Sequence, residues 1–170
     1  SQSIDPSVLD EYNPERRKTE LDIYNPRNPN QPPYSLDYID FYRKAQLDRL
    51  RRRTDWVKET LQELRRVGGM EQERGILTHR TMADLRYVDK AVDPNDRPAR
   101  TCVTGDPESA NSGPTGWGRY STLRSWLSQW SIFDSNVNGA AAASAITVPL
   151  LVMENSADEA CPPGDPSAIF

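Results

Sequence analysis

Metal-binding and redox residues are scarce in this chain. Its 170 residues include two cysteines and one histidine. Neither Cys102 nor Cys161 has a CxxC or CxxxH neighbour, and His79 stands alone, so neither a metal site nor a cofactor is expected. The two thiols either pair or stay free; two cysteines in a chain of this size are compatible with both. No apolar run approaches the roughly 18 residues that span a bilayer. Ser1 opens a polar segment without the charged and apolar regions of a signal peptide, so a soluble, cytoplasmic protein without a membrane partner is expected. Positive charge is not in excess either. The net charge of -4 gives no global attraction to nucleic acid or an anionic surface.

What the chain does have is proline, 14 residues against 9 glycines. Most fall between Pro6 and Pro33 and between Pro94 and Pro114. Hydrophobic residues make up 36% and charged residues 27%, a globular but polar balance. In the first proline stretch, Asp5-Pro6, Asn13-Pro14, Asn25-Pro26, Asn28-Pro29 and Pro32-Pro33 push each preceding residue out of the helical region. A short turn around Val8 to Tyr12 is the most this segment allows. Its apolar residues Ile4, Val8, Leu9, Leu21, Ile23 and Tyr24 nevertheless suggest an arm wrapped on a surface.

Ser35 is a good N-cap and Gly68-Gly69 a good stop, predicting one long helix from about Leu36 to Val67. Ile39, Tyr42, Leu50, Trp56, Val57, Leu61 and Leu64 follow helical spacing. The basic middle, Arg49 to Arg53, is expected on the exposed side. Arg74 to His79 reads as a short extended segment, Thr81 to Tyr87 as a helical turn, and Asp93 to Gly118 as a loop. Tyr120, Leu123, Trp126, Leu127 and Trp130 trace one face of a second helix, and Ala140 to Ala145 a small-residue helical turn. Ile146 to Met153 is continuous, apolar and β-branched, which predicts a strand inside a parallel sheet, buried on both faces. One such strand has no sheet within this chain, and a lone buried strand leaves its backbone groups unpaired. Part of the sheet is therefore expected from another segment or chain.

That strand runs into Asn155-Ser156-Ala157-Asp158-Glu159-Ala160-Cys161-Pro162-Pro163. Open α/β sheets place ligand-contacting groups just past the carboxyl ends of their strands, although an ordinary polar loop has the same spacing. Val148-Pro149-Leu150-Leu151-Val152 followed by Asp158 and Pro162 resembles the P-x-L-x-x-x-G-x-x-D-x-x-x-P stretch of α/β-hydrolases. Asn155 stands where that pattern has glycine. The stretches at 4–8, 32–34, 79–84, 93–98 and 122–131 are also similar to a bacterial subfamily of α/β-hydrolases, so the resemblance covers nearly the whole chain. It implies that Asp158 is the acid of a catalytic triad, orienting the catalytic histidine. It further implies a proline-rich arm and helical cap over 1–118 and the C-terminal part of the hydrolase core over 119–170.

The sequence departs from the family pattern in two places. It contains no G-x-S-x-G elbow, and nothing after Phe170 supplies a downstream histidine. Ser156 lacks the flanking glycines that let a nucleophile sit on a tight strand-to-helix turn. His79 precedes the acid, whereas the order in this class is serine, acid, histidine, so a structural or cap-lining role suits it better. The arginines from Arg49 to Arg53, with Arg65 and Arg66, are interleaved with Asp48, Asp55, Glu59 and Glu63 and lack an aromatic platform, which reads as a solvated helix face and not a nucleic-acid site. Trp117, Trp126 and Trp130 serve either as core or as the wall of an apolar pocket.

The fold expected is thus α/β, a partial α/β-hydrolase with a helical, loop-rich cap and one or two strands of a parallel sheet completed elsewhere. The expected function is acyl transfer on an ester or related carboxylic derivative. This chain would supply cap and triad acid, and a complementary polypeptide or segment the nucleophilic serine and the histidine. The rival expectation is a non-catalytic helical interaction subunit.

Overall fold

In the computed structural model, the described residues are 19–78, 80–114, 119–135 and 138–169. They divide between two compact units, one drawn from 19–31, 35–77 and 120–135, the other from 32–34, 78, 80–114, 119 and 138–169.

The first unit is organised by helix α1, Leu36–Val67. Its start follows from Ser35, whose backbone is extended and whose hydroxyl accepts the Tyr38 N–H at 3.2 Å, satisfying one of the donors a helix leaves orphaned. It ends at Gly68, which takes a left-handed φ of 67° that a side chain would resist, and donates its N–H to Leu64 O. Both ends lie where the capping residues predict them.

Val57, Leu61 and Leu64 fall on one face of α1 and form a buried cluster with Leu123 and Trp126. Leu50, Trp56, Ile76, Leu127 and Trp130 pack around its edge. At the other end of α1, Tyr38 anchors the proline-rich arm, with buried Tyr42 packed against its ring. The Tyr38 hydroxyl donates to Glu20 O at 2.7 Å and accepts from buried Asn28, whose amide also donates to Asp22 O. Ile23 and Tyr24 are buried, as an arm wrapped on a surface requires. Ile4, Val8, Leu9 and the turn predicted around Val8 to Tyr12 lie outside the described residues.

The basic middle of α1 is not uniformly exposed. Arg51 and Arg52 face solvent, but Arg53 is buried with its guanidinium 5.2 Å from the Trp56 ring centroid. Beside it Thr54 donates to Leu50 O and shares a 2.8 Å hydrogen bond with the fully buried Ser131 hydroxyl.

The sheet of this unit is a two-stranded antiparallel ladder. Strand β1, Gly75–Leu77, pairs with β2, Tyr120–Thr122, in the register Gly75 to Thr122, Ile76 to Ser121 and Leu77 to Tyr120. A Cβ at Gly75 would collide with the Tyr120 phenol. The helical spacing predicts Tyr120 on a helix; pairing with β1 takes it into β2 instead. The helix, labelled α3, covers Leu123–Gln129 and starts where the Thr122 hydroxyl accepts the Ser125 N–H. Glu73 braces the same helix start, accepting from the Leu123 N–H at 3.0 Å and from Arg124 at 2.9 Å.

The second unit is richer in loops. Within the predicted turn at Thr81 to Tyr87 a 3-10 turn forms at Leu85–Tyr87, capped by Asp84. The loop predicted from Asp93 to Gly118 contains a short helix α2, Pro107–Ser112, capped by Asp106 with Pro at its start, a combination that favours helix initiation. Small-residue helix α4, Gly139–Ala143, and helix α5, Gly164–Ile169, complete the elements.

The largest correction concerns Ile146 to Met153. No strand forms there, and the only sheet among the described residues is antiparallel, not the parallel sheet of an α/β-hydrolase. A strand needs a neighbouring strand to take its amides and carbonyls, and among the described residues no strand pairs with this segment. Pro149 at its centre also has no N–H to offer. Val148, Leu150, Leu151 and Met153 are all exposed, Leu151 by 84%. The architecture shown is mixed helix and loop with one small antiparallel sheet.

Candidate functional site

The exposed apolar segment leads directly into the loop carrying Asp158. The Asp158 N–H donates to Asn155 O at 3.2 Å, closing a turn. Its carboxylate Oδ1 then accepts the Ala160 N–H at 2.7 Å and the Cys161 N–H at 2.8 Å. An aspartate that bonds the amides two and three residues on shapes its own loop. The Cys161 and Ala160 amides hold the carboxyl below the ordinary carboxylate value, helped by a hydrogen bond from Asn155 and by the charge of Arg97. Asp158 is therefore ionised at neutral pH. A carboxylate offers about four lone-pair sites, so the two amides and Asn155 leave acceptor capacity for one further N–H.

The second unit pins this loop on both sides. Asp96 donates its N–H to Ser156 O at 2.8 Å, and Arg97 Nη1 donates to Asp158 O at 3.3 Å. Beyond the prolines, Asp165 bonds its N–H to Pro162 O and accepts from Arg86 Nη1 at 2.7 Å. Arg86 is half-buried, which disfavours its charge, yet Asp84 and Asp165 more than compensate and raise it above the ordinary guanidinium value. The prolines at 162 and 163 and the ion pair fix where the loop ends.

The other residues singled out by sequence stand apart from this loop or serve it structurally. Ser156 is exposed and contributes only its carbonyl to the clip. Glu159 is half-buried beside the acid. Cys102 is buried and Cys161 exposed, both free thiols; slight local desolvation and the carboxylates of Asp165 and Asp158 push the Cys161 thiol up, away from the nucleophilic thiolate. Trp126 is buried and Trp130 half-buried in the core cluster of the first unit, where they act as packing. Arg66 and Glu63 form a bidentate pair, and Arg51 lies 3.8 Å from Asp48, as on a solvated helix face. His79 and Trp117 lie outside the described residues.

Arg97 and Arg86 are the residues that sequence reasoning missed. Their only local signal is position: Arg97 sits in Asp93-Pro94-Asn95-Asp96-Arg97-Pro98, where a stiff backbone can hold a side chain in one place. Among the described residues no group of three or more His, Cys, Asp or Glu is arranged to hold a metal. No described helix is long and apolar enough to cross a membrane. Compared with protein-family models, with curated proteins and with solved structures, the chain matches none.

Proposed function

We propose that this chain contributes the acid of a serine-type α/β-hydrolase that cleaves an ester or related carboxylic derivative, with Asp158 as that acid. The observation that carries the reading is the Asp158 loop itself: an ionised carboxylate, its loop pinned by neighbouring segments, following a segment of unburied apolar residues. In this chemistry a serine attacks the carbonyl and a histidine carries its proton. The carboxylate accepts a hydrogen bond from the imidazole, selects the reactive tautomer and stabilises the imidazolium that forms. The depressed pKa of Asp158 suits that task, since a neutral acid would give no such charge stabilisation. A complementary polypeptide would bring the serine and the histidine, and its sheet would take Ile146 to Met153 as a strand, placing Asp158 at the carboxyl end of that strand.

Purified residues 1–170 should not turn over a p-nitrophenyl ester, whereas adding a polypeptide that bears a G-x-S-x-G elbow and a downstream histidine should restore turnover. Robust hydrolysis by the chain alone would contradict the reading. So would a reconstituted activity in which Asp158 has no role.

A further inference from the structure

Burying a guanidinium is costly unless its donors are used, and Arg97 is only 2% exposed. Its donors go to main-chain carbonyls: Nη2 to Arg86 O at 2.8 Å and Nη1 to Asp158 O at 3.3 Å. The guanidinium carbon lies over the Tyr87 ring, 5.2 Å from its centroid, a favourable cation-π distance. Its own N–H is held by the Asn95 side chain at 3.0 Å. Among the described residues no carboxylate forms an ion pair with Arg97, so its charge is not spent on a contact pair.

The neighbouring Asp96 N–H grips Ser156 O at 2.8 Å. Adjacent donors on the 93–98 stretch therefore seize two carbonyls of the acid loop, one of them belonging to the acid. We propose that Arg97 is the positioning residue for Asp158: its buried guanidinium ties the loop to the Leu85–Tyr87 turn and presents the carboxylate in one orientation. This inference rests on the reading of Asp158 as the triad acid and adds the residue that sets its geometry.

Arg119 provides the internal control. It is a second buried arginine of the same unit that also bonds carbonyls, Thr78 O and Ala110 O, both at 2.7 Å, with no bond to the acid loop. The test uses the full chain labelled at aspartate carboxyl carbons, reading the Asp158 titration and the amide exchange of Ala160 and Cys161 by NMR. In Arg97→Met, Asp158 should titrate closer to the ordinary 3.8, and the two amides should exchange about tenfold faster, the loss of one charge-assisted restraint. Arg97→Lys should keep more of the lowered titration than Arg97→Met, because it retains the charge, while still loosening the amides.

Arg119→Met should leave both readouts at Asp158 near wild type. The proposal is overturned if Arg97→Met leaves Asp158 and its amides unchanged, or if Arg119→Met moves them as much, which would reduce Arg97 to a generic core residue. Should Arg97→Met fail to fold, Arg97→Lys decides: faster exchange confined to Ala160 and Cys161 supports the clip, and unchanged exchange refutes it. None of these readouts involves turnover. An unresponsive loop sinks the clip alone, whereas a catalytically silent Asp158→Asn in the complete enzyme sinks the triad reading alone.

Discussion

Leu151→Asp separates an exposed segment awaiting a partner from a strand buried within the chain. Leu151 is 84% exposed, and Val148 and Met153 beside it are 68% and 81% exposed. Fully burying a leucine side chain is worth about 1.5–3 kcal/mol, so the fraction already buried has at most about 0.5 kcal/mol at stake in the isolated chain. Urea unfolding followed by circular dichroism should therefore show a nearly unchanged midpoint. Docking the segment into a sheet would bury the rest, worth about 1.3–2.5 kcal/mol for this residue. Without counting the added cost of a buried carboxylate, association with the complementary polypeptide should weaken by about 10- to 70-fold. Titration calorimetry or reconstituted turnover measured against partner concentration reads that shift. A loss above about 2 kcal/mol in the isolated chain would mean that Leu151 is already in a core, and unaltered association would mean that this segment is not the one that pairs.

Three further outcomes follow from the packing and the caps. Leu123→Ala, at a fully buried position on α3 packed against α1, should cost about 2–5 kcal/mol, read by urea unfolding with tryptophan fluorescence, which reports Trp126 and Trp130 in the same cluster. Ser35→Ala should cost about 0.5–2 kcal/mol through loss of the N-cap of α1, while Ser35→Asp should retain most of the stability. Because the folded pKa of Asp158 is lowered, its contribution to loop order is present above the ordinary 3.8 and is lost as pH falls through the lowered value; amide exchange at Ala160 and Cys161, corrected for intrinsic rates, should accelerate only in that acid range.

The parts of the fold written in local chemistry were legible in the sequence. Ser35 and Gly68 mark the ends of α1 because capping is satisfied within a few residues, and the arm around Ile23 and Tyr24 announced itself by apolar residues among prolines. Helix α2 carried the same kind of signal, Asp106-Pro107 at its start, but the surrounding proline density masked it. Tyr120 shares the helical spacing of Leu123 and Trp126, and nothing local shows that Leu77 waits 43 residues upstream to pair with it. The composition of Ile146 to Met153 favours a strand, yet strand formation depends on a neighbour that β-propensity does not supply. Asp158 was singled out by the stretch from Pro149 to Pro162, which resembles the α/β-hydrolase pattern. Arg97 was not, because its bond to the acid loop spans 61 residues of sequence and ends on a carbonyl, which any residue type provides.

The assignment of Asp158 as the triad acid is tested most directly by comparing Asp158→Asn with Glu159→Gln in the hydrolytically active assembly, each checked for an unchanged fold by circular dichroism. An amide of the same shape stabilises the wrong imidazole tautomer and cannot offset its charge, an exchange that costs about 10⁴-fold in kcat in a well-studied triad. The expected result is a loss of that order for Asp158→Asn with Glu159→Gln close to wild type. Near-normal turnover of Asp158→Asn would contradict the assignment, and loss in Glu159→Gln instead would move the acid by one residue.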